Sequence, residues 1–445
     1  MNGRQDFIGW LGIVRLGLVQ ASLGAIVILA TSTLNRVMVV ELALPALVPG
    51  ALVGWHYGVQ LSRPRWGHGA DVGGRRAPWI FGGILSLALG GTAAAASTAL
   101  MQTSVVWGFG AAFVSFFAIG VGVGAAGTNL LALLAAKVPP ARKAAAAAIV
   151  WIMMIFGFVL TSIISGALLD PFSMSRLVAV SAGVGAIAVL LTGLALVGVE
   201  GARQPPGAVA AAKHAFLPAL REVWSDPQAR RFSVFVFVSM LAYSAQDLIL
   251  EPLGGLLYGM PPGETTKLSG VQNGGVLVGM ILTAILGSTL GKSSARFMRK
   301  WTVLGCVCSA AALGALAFAA LSAGALPLSA LVFTLGLANG AFAVAAIGSM
   351  MTLASAGAPG REGTRMGVWG AAQAIAFGLG GFLGAAALDG ARAMLGDPAQ
   401  AFALVFTIEA VAFLAAAVLA ARVGRSSADH LRLPAMPAGD AVAAE

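Results

Sequence analysis

Twelve long apolar segments determine what this chain can fold into. Each has about 20 residues or more, the length that a helix needs to cross a bilayer, and helices satisfy their own backbone hydrogen bonds there. Apolar residues make up 58% of the 445 residues, and the mean hydropathy is +0.90, far above that of a soluble domain. We therefore predict an all-α polytopic membrane protein with twelve transmembrane helices. They are predicted at residues 13–34, 43–62, 78–100, 105–136, 144–169, 176–199, 231–250, 268–290, 301–322, 327–355, 366–388 and 400–421.

The basic residues predict the orientation of these helices. With a cytoplasmic N-terminus, four of the 27 Lys and Arg residues lie outside, which leaves 23 inside. Such an excess marks the cytoplasmic loops of a membrane protein. We therefore expect both termini on the cytoplasmic side. The net charge of +10 then reflects loops beside membrane lipid, and we expect no nucleic-acid partner. The four outer residues are Arg36, Arg176, Lys267 and Arg392.

A polar stretch after the sixth helix divides the chain into two halves of six helices each. We predict an N-terminal half at 1–199 and a C-terminal half at 231–424. Between them, residues 200–230 form a cytoplasmic connecting loop with a helix on the membrane surface. The last residues, 425–445, are rich in Ala, and this composition predicts a disordered cytoplasmic tail.

A short loop between the second and third predicted helices concentrates glycine and charge. Its glycines allow a tight turn, and its aspartate can pair with an arginine or a helix end. The spacing is similar to that of the loop between helices 2 and 3 in the major facilitator superfamily, which implies that fold. The residues that carry this resemblance are Gly67, Asp71, Gly74, Arg75 and Arg76.

Charged side chains at membrane depth are rare and usually mark a function or an ion pair. Arg36 and Glu41 lie in a stretch that joins the first two helices, and Asp247 and Glu251 lie four residues apart at the end of the seventh. The two halves look like a parallel repeat, in which the first and seventh helices are equivalent. The acids can therefore contact a ligand, or Arg36 can pair with Asp247 or Glu251 and hold the two halves together.

Two further polar residues of the membrane region are candidate site residues. His56 can ligate a metal or the magnesium of a pigment, although hydrogen-bonded packing is the commoner role of a lone membrane histidine. Glu409 lies about ten residues into the last helix, as a protonated or paired acid or as a ligand contact. No metal site is expected.

Catalytic functions are disfavoured by the motifs. Residues 287–293 read GSTLGKS, but a phosphate-binding loop needs glycine at the position of Leu286 and must follow a strand. A prenyltransferase needs two carboxylate clusters to hold magnesium, and the chain offers Asp247 and Glu251. We therefore predict that the protein is not an enzyme.

Three runs together resemble the PucC/LhaA family: LNRVMVVEL at 34–42, GHGADVGGRRAPW at 67–79 and QDLILEPLGG at 246–255. These are major-facilitator-like proteins of phototrophic bacteria that support assembly of light-harvesting complexes, and some are labelled bacteriochlorophyll synthase. The resemblance covers essentially the whole chain, including Glu409. It departs from the family at Leu253, where an aromatic residue usually follows Glu-Pro.

The resemblance implies a factor of the intracytoplasmic photosynthetic membrane, which is part of the bacterial inner membrane. Its cargo would be bacteriochlorophyll, and its partners would be antenna polypeptides and pigment-synthesis enzymes. Arg36, Glu41, Asp247 and Glu251 match the family motifs and are its candidate pigment-binding residues. A carboxylate held by an arginine can ligate a chlorophyll magnesium while the arginine balances its charge.

Two alternatives remain open at the level of sequence. One is a secondary transporter of a small solute, with proton coupling through Asp247, Glu251 or Glu409, because fold does not imply function. The other is an assembly scaffold that binds proteins through faces of small residues and does not contact pigment.

Overall fold

The computed structural model describes residues 7–63, 66, 75–139, 142–201, 225, 227–289, 295–322, 326–355 and 362–422. Regular secondary structure over these residues is helical, and the prediction of an all-α polytopic protein is confirmed. The predicted connecting loop and tail lie largely outside the described residues, at 202–224 and 423–445. The predicted division into halves therefore stays a prediction.

The helices fall into two consecutive groups. The N-terminal helices are α1 (Trp10–Glu41), α2 (Leu47–Val59), α3 (Ala77–Leu100), α4 (Val105–Lys137), α5 (Lys143–Leu168) and α6 (Met174–Leu196). The C-terminal helices are α7 (Pro227–Asp247), α8 (Leu250–Tyr258), α9 (Pro262–Thr289), α10 (Ala295–Leu321), α11 (Leu328–Ser355), α12 (Glu362–Leu395) and α13 (Pro398–Arg422).

Eleven helical stretches among the described residues are long and apolar enough to cross a membrane, with α7 and α8 counted as one interrupted stretch. The predicted segment at 43–62 contains the shorter α2, whose 13 residues continue into a 3-10 turn at Gln60–Ser62. Its start is set by a polar contact from α12, described below. Most other boundaries fall within a few residues of the predicted ones because apolar length determines them, whereas α1 and α12 each end seven residues later than predicted.

The predicted connection between the first two helices, at residues 34–42, is itself helical as far as Glu41. The expectation that residues 34–42 join the first two helices is wrong, because α1 continues to Glu41 and the connecting loop is 42–46. Two π-helical turns, Leu29–Thr33 and Val37–Glu41, lie within α1. The charges of Arg36 and Glu41 do not end the helix, because the two side chains pair with each other and the apolar helix runs on between them.

A small buried apolar cluster joins α5 to α9, and two large clusters form the rest of the core. One large cluster consists of residues from the N-terminal helices together with Leu248 from the turn after α7. The other consists of residues from the C-terminal helices together with Val39 of α1 and Ala46 of the 42–46 loop. Each large cluster thus receives a few side chains from the other group, and these exchanged residues lie at the same end of the bundle, next to the 42–46 loop.

Backbone contact between α9 and α11 depends on glycine. A Cβ atom on Gly279 would lie 2.2 Å from the carbonyl oxygen of Leu337, and one on Gly336 would lie 2.0 Å from that of Gln272. Small residues permit this close approach of membrane helices, where packing rather than water exclusion drives association. Gly274, on the same helix α9, has open space around its missing side chain.

We predict that Gly279→Ala destabilises the protein by about 1–3 kcal/mol, because the added methyl group would force two backbones apart. Gly274→Ala is the matched control, and it should be neutral or stabilising because alanine favours a helix over glycine. Thermal unfolding of the purified proteins in detergent measures both effects. Equal unfolding temperatures for the two variants would contradict this account of the α9–α11 contact.

Candidate functional site

Arg36 and Glu41 form an ion pair within α1. In an ordinary α-helix, residues five apart point in directions that differ by about 140°. The π-helical turn Val37–Glu41 widens the helix, with the amide of Leu42 donating to the carbonyl of Val37 over 3.1 Å. The widened turn lets Glu41 accept a hydrogen bond from Nη1 of Arg36.

Arg36 also connects the N-terminal helices to the C-terminal ones. Its other terminal nitrogen, Nη2, donates to the carbonyl oxygen of Met260 over 2.7 Å, and the side chain is only 2% exposed. The expected ion pair of Arg36 with Asp247 or Glu251 is not formed. Arg36 instead neutralises Glu41 on its own helix and contacts the C-terminal helices through a backbone carbonyl.

A break in the seventh predicted helix supplies a second contact between the two groups. Pro252, in the first turn of α8, has no amide hydrogen and cannot donate to the carbonyl of Leu248 four residues earlier. That carbonyl accepts a hydrogen bond from Nδ2 of Asn35 over 2.6 Å. Pro252 therefore leaves the carbonyl oxygen of Leu248 without a partner in its own helix, and the side-chain amide of Asn35 donates to it.

Glu251 is bound by hydroxyl groups. Its Oε1 atom accepts from Oγ of Ser32 on α1 over 2.5 Å and from Oγ of Ser269 on α9 over 2.6 Å. The two serine oxygens are 2.7 Å apart, and Glu251 is only 1% exposed. Thr33, directly after Ser32, shares a hydrogen bond of 3.1 Å with Thr266, which is three residues before Ser269.

We name this set of contacts the inter-group junction. It brings together three predicted site residues, Arg36, Glu41 and Glu251, in a polar layer close to the 42–46 loop. The polar residues that complete it could not be predicted, since isolated Ser, Thr and Asn residues are common in membrane helices. The missed junction residues are Ser32, Thr33, Asn35, Thr266 and Ser269.

Asp247 lies apart from the Arg36–Glu41 pair. Its carboxylate accepts a hydrogen bond from Nε2 of Gln272 on α9 over 3.3 Å, and it interacts electrostatically with Tyr57 and Tyr243. Both tyrosine rings pack on Phe377 of α12, with centroids 5.8 and 5.7 Å away. Asp247 therefore belongs to an aromatic cluster shared by α2, α7 and α12.

His56 is a buried packing residue in this structure. It is 1% exposed, its Nδ1 lies 2.9 Å from the carbonyl oxygen of Val53 in the preceding turn, and its ring packs on Tyr57. Among the described residues, no group of three His, Cys, Asp or Glu side chains is placed to hold a metal ion.

Glu409 is buried in the core of the C-terminal helices. Its side chain is 4% exposed, and neither carboxyl oxygen has a hydrogen-bond partner among the described residues. The charged group with which it interacts electrostatically is Asp247. The structure thus places Glu409 near the aromatic cluster and not in the inter-group junction.

The basic loop is described only at its ends. Gly67, Asp71 and Gly74 lie outside the described residues, while Arg75 is exposed and Arg76 is half-buried at the start of α3. Glu200, after α6, caps α3 by accepting hydrogen bonds from the backbone amides of Arg76 and Ala77, the latter over 2.9 Å. The loop therefore emerges from a helix end fixed by a carboxylate.

Another carboxylate caps α2 across the two groups. Asp389 of α12 accepts from the backbone amides of Ala46 and Leu47 over 3.0 and 2.7 Å. Beside this cap, a cleft of about 440 Å³ opens next to the 42–46 loop. Its lining includes Ala43, Leu44 and Pro45 from the loop and Asp389 and Arg392 from α12.

Comparison with known sequences gives one consistent family. The sequence model described as PUCC protein matches residues 33–428. A relative in Rhodobacter capsulatus named "Bacteriochlorophyll synthase 44.5 kDa chain" is 50% identical over 441 residues, which span 97% of this chain and 100% of the relative. "Protein PucC" of the same organism is 30% identical, over 92% of this chain and 91% of its own length.

Solved structures share the fold at low sequence identity. A bacterial homologue of the human lysosomal transporter Spinster, in an inward-facing occupied conformation, aligns with a TM-score of 0.67 at 16% identity. This alignment covers 95% of this chain and 98% of that one. The peptide transporter POT aligns with a TM-score of 0.66 at 15% identity, over 93% and 95% of the two chains. The predicted major-facilitator-like fold is thereby confirmed.

We predict that Arg36→Ala destabilises the protein by about 3–5 kcal/mol, the usual effect of removing one partner from a buried ion pair. Arg36→Lys should restore little, because one ammonium group cannot reproduce the two separate guanidinium contacts. Thermal unfolding in detergent measures the loss. Arg176→Ala, which changes a partly exposed arginine at the same end of the bundle, is the control and should cost far less. Similar unfolding temperatures for Arg36→Ala and Arg176→Ala would contradict this role.

Proposed function

The chain belongs to the PucC family, and we propose that it handles bacteriochlorophyll during assembly of photosynthetic light-harvesting complexes. Family members resembling this chain support that assembly in phototrophic bacteria. The 50% identical relative carries bacteriochlorophyll in its name, and its similarity extends over 97% of this chain. Both facts support a pigment as the cargo.

The observation that carries the proposal is the Arg36–Glu41 pair. Oxygen ligands suit magnesium, and the side chain of Glu41 is 34% exposed while that of its partner Arg36 is 2% exposed. The arginine holds the carboxylate in place and balances its charge. Glu41 is thus an accessible oxygen donor at the end of α1, and we assign it the contact with the magnesium of the pigment.

The other motif acids are less suited to this contact. Glu251 is buried, and its Oε1 atom is occupied by two serine hydroxyls. Asp247 accepts from Gln272 and lies among aromatic side chains. Neither has a guanidinium partner to balance a ligating charge. These differences favour Glu41 over the other two positions that the family motifs indicate.

The same proposal includes a non-enzymatic role. The relative's name contains the word synthase, but the match to the PUCC protein model and the likeness to solved transporters support a non-enzymatic role. The partners are then antenna polypeptides and pigment-synthesis enzymes, in a lipid environment. The location is the bacterial inner membrane, with both termini in the cytoplasm.

We predict that the protein, purified in mild detergent from a pigment-producing phototroph, carries stoichiometric bacteriochlorophyll and co-purifies with antenna polypeptides. Glu41→Gln should reduce bound pigment several-fold, because a neutral amide is a weaker magnesium ligand than a carboxylate. The absorption spectrum gives the pigment content, and mass spectrometry identifies the proteins. Equal thermal unfolding of wild type and variant separates ligand loss from misfolding.

Glu264→Gln is the matched control for this experiment. Glu264 is an exposed glutamate in the first turn of α9, at the same end of the bundle. Its variant should retain the pigment. Retention of pigment by Glu41→Gln would contradict the assignment of Glu41.

A solute transporter is the second candidate function, and the likeness to solved transporters of the same fold favours it. The purification distinguishes the candidates. Colourless protein with antenna polypeptides would indicate a scaffold that does not contact pigment. Colourless protein without these partners would favour the transporter.

A further inference from the structure

Three oxygen atoms from three helices form a closed triangle in the inter-group junction. Ser32 of α1, Ser269 of α9 and Glu251 of α8 contribute one oxygen each, and the three edges measure 2.5, 2.6 and 2.7 Å. All three lengths are those of hydrogen bonds between oxygen atoms. The residues are 5%, 5% and 1% exposed, so the triangle is enclosed by protein.

The triangle needs three hydrogen atoms, and the serines supply two. Each hydroxyl has one hydrogen to donate, whereas an ionised carboxylate only accepts. If both serines donated to an ionised Glu251, their own contact of 2.7 Å would have no hydrogen between the oxygens. A protonated Glu251 supplies the third hydrogen, and each of the three groups then donates once and accepts once around the ring.

Charge balance leads to the same protonation state. The positive charge that acts on Glu251 is that of Arg36, and it is already paired with Glu41. An ionised Glu251 would therefore be a buried negative charge without a matching positive one, which is strongly unfavourable. In addition, its Oε2 atom makes no hydrogen bond with the described residues, because the nearby hydroxyl group of Thr265 donates to the carbonyl oxygen of Pro262 over 3.1 Å.

The other charged groups near Glu251 do not alter this balance. Asp247, at the end of α7, accepts from Gln272 and would add negative charge if ionised. Glu409, on α13, interacts electrostatically with Asp247. On α9, the side chains that act on Glu251 are the hydroxyl groups of Thr265 and Ser269, and these are neutral.

We propose that Glu251 is a proton-binding site and that its proton couples the N-terminal helices to the C-terminal helices. The proton completes the ring that joins Ser32 of α1 to Ser269 of α9. Its release leaves a buried negative charge between them, which is relieved when water enters and the helices separate. The 42–46 end of the bundle is therefore closed in the protonated state and opens when Glu251 releases the proton.

Infrared spectroscopy of the full-length protein in lipid nanodiscs tests the proton directly. At neutral pH, the wild-type spectrum should contain the carbonyl band of a buried carboxylic acid that Glu251→Gln lacks. Glu264→Gln, which alters an exposed glutamate, should retain this band. Ser32→Ala should shift the band, because the acid loses one hydrogen-bond partner. Superimposable wild-type and Glu251→Gln spectra in the carboxylic acid region would overturn the proposal.

A distance measurement tests the coupling. Spin labels at Thr103→Cys and Met394→Cys, both exposed at the 42–46 end, report the separation of the two groups once Cys306 and Cys308 are replaced by serine. Alkaline buffer should convert a short distance into a longer one in the otherwise wild-type protein. Glu251→Gln should keep the short distance at every pH, since its amide remains neutral. A pH response unchanged in Glu251→Gln, or absent from the protein that retains Glu251, would overturn the coupling.

Discussion

The buried guanidinium of Arg36 is the constraint on which the junction depends. A cation at membrane depth must be paired and hydrogen-bonded, or it becomes prohibitively unfavourable. Arg36 meets this requirement by pairing with the carboxylate of Glu41 on its own helix and donating to the backbone carbonyl of Met260, just after α8. Because Glu41 neutralises it locally, no acid of the C-terminal helices is needed for charge balance. The hydrogen-bond partners of Glu251 are consequently the neutral hydroxyl groups of Ser32 and Ser269.

Because their partners differ, Glu41 and Glu251 have different chemistry. Glu41 is paired with Arg36 and is partly exposed, so it can meet a ligand at the end of α1. Glu251 is enclosed among hydroxyl groups that move with different helices, so its state affects how those helices fit together. A salt bridge between the groups would have fixed their arrangement more firmly. Hydrogen bonds to serines and to a carbonyl can be exchanged for water at a smaller cost.

The helices could be predicted from sequence because apolar length is imposed by the bilayer and not by tertiary contacts. The partner of Arg36 could not be predicted in the same way. Five residues separate Arg36 from Glu41, and an α-helix would place them about 140° apart. The π-helical turn at Val37–Glu41 removes this separation, and the run of apolar residues that forms it gives no signal of a widened helix. Equivalence of the repeats therefore favoured Asp247 and Glu251 as partners.

The hydroxyl groups of the junction illustrate a second limit. Many Ser and Thr residues in these helices donate to the carbonyl four residues earlier, as Ser97, Thr98 and Ser115 do. Nothing in the sequence separates them from Ser32 and Ser269, whose partners lie on other helices. The distinction arises where three helices meet, because the helix breaks before Pro252 and α8 begins beside α1, where Glu251 contacts both serines. A motif containing Glu251 can thus indicate a family. Which hydroxyl groups lie within hydrogen-bond distance of its carboxyl group depends on how the helices pack.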